Sequence, residues 1–110
     1  AGLVCNDVST LWPSLKTMAH TLSCTFGAQV LANLYATSGE SPAFAPHFDT
    51  HDVWAFQISG EKAWSLYGQA PNPVNHPLFN DLDKAHHQAN KGELSAQILT
   101  KPGDVLYIPR

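Results

Sequence analysis

The sequence predicts a mainly β fold, an antiparallel barrel or sandwich preceded by one helix. Three observations carry that prediction. Apolar residues recur every three or four positions in only one stretch, Pro13–Phe26. Short strand-like runs then follow at 28–36, 47–58, 62–67, 93–100 and 105–108, giving five or six strands with turns between them. No helix alternates with these runs, and no Gly-rich phosphate loop opens one, which disfavours a doubly wound α/β domain.

Residues 1–10 carry no useful periodicity, and Leu3, Val4 or Val8 are expected only to pack on a neighbouring element. Ser9 or Thr10 is placed to cap the helix, with Pro13 in its first turn. Leu15, Met18, Ala19, Leu22 and Phe26 form its apolar stripe, with Met18 as core filler. Gly27 is positioned to end it in the left-handed conformation. Over 28–36 the alternation puts Val30, Ala32 and Leu34 on one strand face and Gln29, Leu31, Asn33 and Tyr35 on the other. Asn33 and Tyr35 set polar groups on an otherwise apolar strand, facing a cavity or a rim.

The stretch 37–46 is a loop by composition, with Gly39, Ser41, Pro42 and Pro46. Residues 47–58 read as two short strands, with a bend or bulge at His51-Asp52. The run from Val53 has two apolar faces, as a strand inside a sandwich or under a helix does. Gly60-Glu61 suits a tight hairpin turn into the strand Lys62–Tyr67. Residues 68–80 hold Pro71, Pro73 and Pro77 and read as a loop, and 81–90 as a helical turn or two, or irregular chain. Pro102-Gly103 at the centre of a type II turn joins the last two strands, and Pro109 ends the second.

The 110 residues make one domain or part of one. Hydrophobic residues reach 44%, enough for a packed core. Charged residues make up only 14%, against roughly a quarter in ordinary soluble domains. Further chain is therefore expected to cover part of this surface, and Ala1 and Arg110 read as cuts within a longer protein. The net charge is -3 with no basic block, so no large nucleic-acid footprint is visible. Cys5 and Cys24 give neither a disulfide framework nor a zinc pattern and are expected to be reduced, as in a cytosolic protein. No signal peptide opens the chain, and no apolar run approaches the roughly 18 residues of a membrane span.

The chemistry centres on His47-Phe48-Asp49. In a strand, residues two apart share a face with Cα atoms about 6.6 Å apart. An imidazole and a carboxylate projecting together are two ligands of the 2-His-1-carboxylate set that binds non-haem Fe(II). A second His is still required. His51 extends the run to His-x-Asp-x-His, but three alternate strand positions span too far for one metal shell without a bend, so it is expected beside the site or toward substrate. His86 and His87 are adjacent and diverge, His76 lies in a loop, and His20 lies on the exposed side of the helix. None of these four is expected to bind metal. Each candidate also has an ordinary role open to it: His47 as a core histidine bonded to a backbone carbonyl, Asp49 as a turn residue, Lys62 as a solvated lysine beside a hairpin.

Several segments together are more specific. Asn33-Leu34-Tyr35 comes first, then Phe44-Ala45-Pro46-His47-Phe48-Asp49 with Asp52-Val53. Gln57-Ile58, Gly60-Glu61-Lys62 and Trp64 follow, and then Leu99 with Lys101-Pro102-Gly103-Asp104-Val105-Leu106-Tyr107-Ile108-Pro109. In this order they resemble the JmjC-type cupin oxygenases. Within that group they are most similar to the ribosomal oxygenases, which hydroxylate histidine or arginine side chains of ribosomal proteins. The resemblance covers residues 30–110.

It implies a double-stranded β-helix (cupin or jelly-roll) core, incomplete in this chain, over residues 28–110. Residues 1–27 would be a helical segment packed on that core. It implies Fe(II), 2-oxoglutarate and O2 as co-reactants. His47 and Asp49 would be the catalytic metal ligands, Lys62 would pair with the distal carboxylate of 2-oxoglutarate, and Asn33 and Tyr35 would line its pocket. The third ligand, a His, is expected a few residues beyond Arg110, so residues 1–110 alone are expected to bind iron poorly. The implied substrate is a protein or peptide, such as a ribosomal protein, with no direct nucleic-acid site, no membrane, a homodimer in the full-length protein and a cytoplasmic location. Two rival classes are a cupin enzyme using a metal without 2-oxoglutarate, which has no need of Lys62, and a non-enzymic cupin binding module.

Overall fold

The computed structural model describes residues 2–39, 44–68 and 84–110, with the backbone alone at 84, 86 and 90. Its contacts divide the chain into two units, Ala1–Ala43 and Phe44–Arg110.

In the first unit, β1 (Gly2–Cys5) pairs antiparallel with β2 (Leu34–Thr37), Gly2 opposite Thr37 and Cys5 opposite Leu34. Periodicity gives no sign of β1, because its residues are almost all exposed. The strand expected over 28–36 shrinks to its end. The cause is Asp7, whose left-handed backbone (φ 50°) turns the partner chain away after Cys5, a conformation that Asp tolerates better than most residues. The freed Asp7 N–H then donates to Asn33 Oδ1 at 2.9 Å, and the Val8 N–H to the Ala32 carbonyl at 2.7 Å.

A single 3-10 turn, Val8–Thr10, leads into α1 (Pro13–Phe26), which has the predicted bounds. Pro13 stands at the first helical position, where a missing N–H costs nothing. Gly27 (φ 64°) closes the helix by donating its N–H to the Ser23 carbonyl. The expected cap is not made by Ser9 or Thr10: the N-cap is Trp12, without a side-chain bond. Asp7 captures both hydroxyls instead, Ser9 bonding its carboxylate and Thr10 its carbonyl. The covered line of α1 is Leu15, Ala19 and Leu22, narrower than the predicted stripe. Met18, expected as core filler, is 38% exposed and Phe26 is 54% exposed. Cys5 and Cys24 are both free thiols.

In the second unit, β3 (Val53–Phe56) pairs antiparallel with β6 (Val105–Ile108), and β4 (Lys62–Tyr67) with β5 (Leu94–Thr100). A short helix, α2 (Lys84–Asn90), precedes β5. The hairpin expected at Gly60-Glu61 is not formed, because β3 and β4 take different partners. Two lengths of chain instead run antiparallel side by side, and both turn one corner. One crosses it with residues 57–61, the other with 101–104, so the register changes by one residue between the pairs Phe56–Val105 and Lys62–Thr100. Backbone bonds hold the arms together there: Gln57 N–H to the Asp104 carbonyl (3.0 Å) and Gly103 N–H to the Gln57 carbonyl (2.9 Å).

The turn at 101–104 forms as predicted. Asp104 N–H donates to the Lys101 carbonyl (2.9 Å), and Lys101 N–H to the Asp104 carboxylate (2.8 Å). Gly103 has φ 96°, and an added Cβ would meet nothing within 4 Å. Gly103→Ala thus tests conformation alone, and is expected to lower unfolding free energy by about 1 kcal/mol, read by chemical denaturation.

Among the described residues, six strands make three two-stranded sheets and no closed barrel forms. β3 was expected to be covered on both faces. Trp54 and Phe56 are in fact about half exposed, with Tyr107 and Val105 opposite them. Also among the described residues, no helix is long and apolar enough to cross a membrane. Of the expected loops, 40–43 and 69–80 lie outside the described residues, as do His76 and the side chain of His86.

Candidate functional site

His47, Phe48 and Asp49 are not on a strand. They occupy irregular backbone between Pro46 and β3, which corrects the expectation that His47 and Asp49 share a strand face. Two physical facts explain it. A strand needs a partner, and the β3–β6 ladder stops at Val53 opposite Ile108. The residue after β6, Pro109, has no N–H to extend it. The bend predicted at His51-Asp52 is present one residue earlier, at 50–51.

The His47 ring is held by its own loop. Nδ1 lies 2.9 Å from the Ala45 carbonyl. A carbonyl only accepts, so the bond places a proton on Nδ1, and in the neutral ring the lone pair is then that of Nε2. This is how a ligand histidine is prepared: the bond made by one nitrogen decides which nitrogen meets the metal. The ring also stands edge-on to Phe44 (6.0 Å, 71°) and to His87 (6.2 Å, 79°), while Phe48 meets His87 at 4.9 Å. His87, on α2, is buried, at 6% exposure. Nothing in the sequence signalled that it lies beside His47, because some forty residues separate them. Asp49 is half-buried. His51 is exposed, and its Nδ1–H faces the Asp52 carbonyl at 3.3 Å. Among the described residues, no group of three or more His, Cys, Asp or Glu side chains is arranged to hold a metal ion.

Lys62 opens β4 and is half-buried. Its Nζ stands 4.2 Å from the centroid of the Trp64 ring, on the same strand face, a cation–π contact. Burial lowers the ammonium from its ordinary range. Trp64 is itself fixed, its indole N–H donating to the Thr100 hydroxyl at 3.0 Å. Thr100 is buried, and its one proton is shared between Gln57 Oε1 (3.3 Å) and the Lys62 carbonyl (3.2 Å). Trp64→Phe removes the indole donor and leaves the buried hydroxyl short of one partner, with an expected loss of about 1–2 kcal/mol in stability, measured as a shift in the denaturation midpoint.

Asn33 and Tyr35 belong to the first unit. Asn33 spends its carbonyl oxygen on the Asp7 N–H, and Tyr35, on β2 opposite Val4, is half exposed. In the sequence Asp52 stands at a bend and in the segment that ends with Asp52-Val53. Its carboxylate accepts from the Arg110 N–H (3.0 Å) and the Tyr107 hydroxyl (3.3 Å). Desolvation first, and then this carboxylate, raise the Tyr107 hydroxyl above the ordinary phenol range.

Comparison with known proteins bears on the same residues. The JmjC domain family matches residues 9–110. The bifunctional lysine-specific demethylase and histidyl-hydroxylase NO66 of Drosophila willistoni is 37% identical over 102 residues, covering 93% of this chain and 13% of that protein. Its Dictyostelium discoideum counterpart is 33% identical over 102 residues, 93% of this chain and 19% of that protein. Ribosomal oxygenase 1 of Homo sapiens is 31% identical over 102 residues, 93% of this chain and 15% of that protein. The chain thus spans less than a fifth of the length of these relatives.

Proposed function

The chain belongs to the JmjC-domain family, closely related to NO66 and ribosomal oxygenase 1, and from that premise we propose that the protein is an Fe(II)- and 2-oxoglutarate-dependent hydroxylase of a protein side chain. The observation that supports the proposal is the His47 ring held through Nδ1, two residues before a half-buried carboxylate. His47 and Asp49 would hold the metal, with a third ligand from a histidine following the β6 segment. The barrel is proposed to build on residues 28–110, with 1–27 packed against it. The shared corner of β3–β4 and β5–β6 supports that double-stranded β-helix reading.

Bound Fe(II) would couple conversion of 2-oxoglutarate and O2 to succinate and CO2 with insertion of the second oxygen atom into a substrate C–H bond. The chain's own residues do the positioning. The Ala45 carbonyl keeps the proton on His47 Nδ1. Asp49 supplies an anionic oxygen, which balances metal charge. Lys62 offers its ammonium to the distal carboxylate of the co-substrate, a charge-assisted bond. Burial lowers the Lys62 ammonium from its ordinary range, and a carboxylate beside it would favour the charged form. The Trp64 face, fixed by Thr100, limits where Lys62 can point. Asn33 and Tyr35 are proposed to line the co-substrate pocket.

The proposed substrate is a histidine of a ribosomal protein, in keeping with the names of the relatives. A homodimer and a cytoplasmic location belong to the same reading. The test uses the full-length protein with a histidine-containing ribosomal-protein peptide. Succinate must form only with Fe(II), 2-oxoglutarate and O2 together, and the peptide must gain one oxygen. Iron bound without succinate formed would overturn the reading in favour of a different cupin enzyme or a binding module.

A further inference from the structure

The β3–β6 ladder ends at Val53 opposite Ile108, and Pro109 offers no N–H to carry it on. The next amide, that of Arg110, is taken up by a side chain instead. Asp52 Oδ1 accepts it at 3.0 Å, together with the Tyr107 hydroxyl at 3.3 Å. Asp52 is also gripped through its own carbonyl, which faces His51 Nδ1 at 3.3 Å. It is the last residue before β3 and stands three positions after Asp49. The irregular segment carrying His47 and Asp49 is therefore tied at one end to β6 by a carboxylate rather than by a backbone ladder.

We infer that Asp52 is a positioning residue for the metal site: by holding the Arg110 amide and the Tyr107 hydroxyl, it fixes the path of the His47–Asp49 segment relative to the end of β6. The inference rests on the Fe(II) reading of His47 and Asp49. Asp52 is not proposed as a ligand. Its effect on metal binding runs through the backbone that it anchors. The chemistry is specific, because one anionic oxygen meets two donors at once, which a hydrophobic or purely steric tether would not do.

The test is an anaerobic metal titration of the full-length protein, with Fe(II) and with Co(II) as a spectroscopic probe, alongside hydrogen exchange at Arg110. Asp52→Ala is expected to weaken Fe(II) binding about 10-fold or more, within the range for residues that orient ligands. It should also alter the Co(II) absorption spectrum and speed exchange of the Arg110 amide. Asp52→Asn keeps an acceptor oxygen and is expected to stay within about threefold of the wild type. Arg110→Pro deletes the donor without touching Asp52 and is expected to reproduce the weakened binding. It decides the question if Asp52→Ala does not fold. Wild-type affinity and Co(II) spectrum in Asp52→Ala and Arg110→Pro would overturn the positioning role alone. A wild-type protein that takes up no Fe(II) would overturn the functional reading itself, and this role with it.

Discussion

His47→Ala and Asp49→Ala are each expected to lower succinate formation by the full-length protein by at least about 10²-fold, with the fold retained. The size follows from what is removed. Residues that merely orient a ligand already cost about 10–100-fold when replaced, and these two are proposed as the ligands themselves. The fold should survive because neither side chain supports a strand pair: both sit on irregular backbone, His47 exposed and Asp49 half-buried. Asp49→Asn sharpens the test, since it preserves shape and removes charge. It too should lose most turnover. Circular dichroism and a denaturation curve matching the wild type are the needed controls. Retention of more than about a tenth of the activity in either alanine variant would show that the metal, if one is used, is held elsewhere.

The second large effect is expected at Lys62. Lys62→Ala should raise KM for 2-oxoglutarate about 10–100-fold and change kcat much less. A hydrogen bond to a charged group contributes about 1.5–3 kcal/mol, and each 1.4 kcal/mol is tenfold. A contact made equally in the ground state and the transition state moves KM rather than kcat. Lys62→Arg keeps the charge but not the compact ammonium over Trp64, and should recover part of the loss. A KM within about twofold of the wild type in Lys62→Ala would remove Lys62 from the co-substrate site. It would then count as a lysine packed on an indole.

Much of this was readable from the chain, and the rest was not for definite reasons. The bounds of α1, β4 and β6 follow from local rules: a 3.6-residue stripe ended by Gly27, an apolar run after Gly60, and a strand between Asp104 and Pro109. The type II turn followed from Pro102-Gly103 alone. Pairing was less legible. β1 exists because β2 lies beside it, and the Gly60 turn joins strands with different partners, which no local signal encodes.

The candidate site divides the same way. His-x-Asp is a sequence motif, but its backbone depends on where β6 stops, and so it is irregular rather than strand. The clamp at Asp52 joins residues 55 and 58 positions apart. The burial of His87 against Phe48 and His47 depends equally on tertiary packing. Met18 went the other way, for the true covered line of α1 passes through Ala19.

The central claim is that His47 and Asp49 hold an iron that takes 2-oxoglutarate. The most direct measurement is the visible charge-transfer absorption of the full-length protein under anaerobic conditions, titrated with Fe(II) and 2-oxoglutarate. The account predicts a band that needs both components, is lost in His47→Ala and Asp49→Ala, and requires much more 2-oxoglutarate in Lys62→Ala. A wild-type protein without the band, or a band undiminished in His47→Ala, would contradict it.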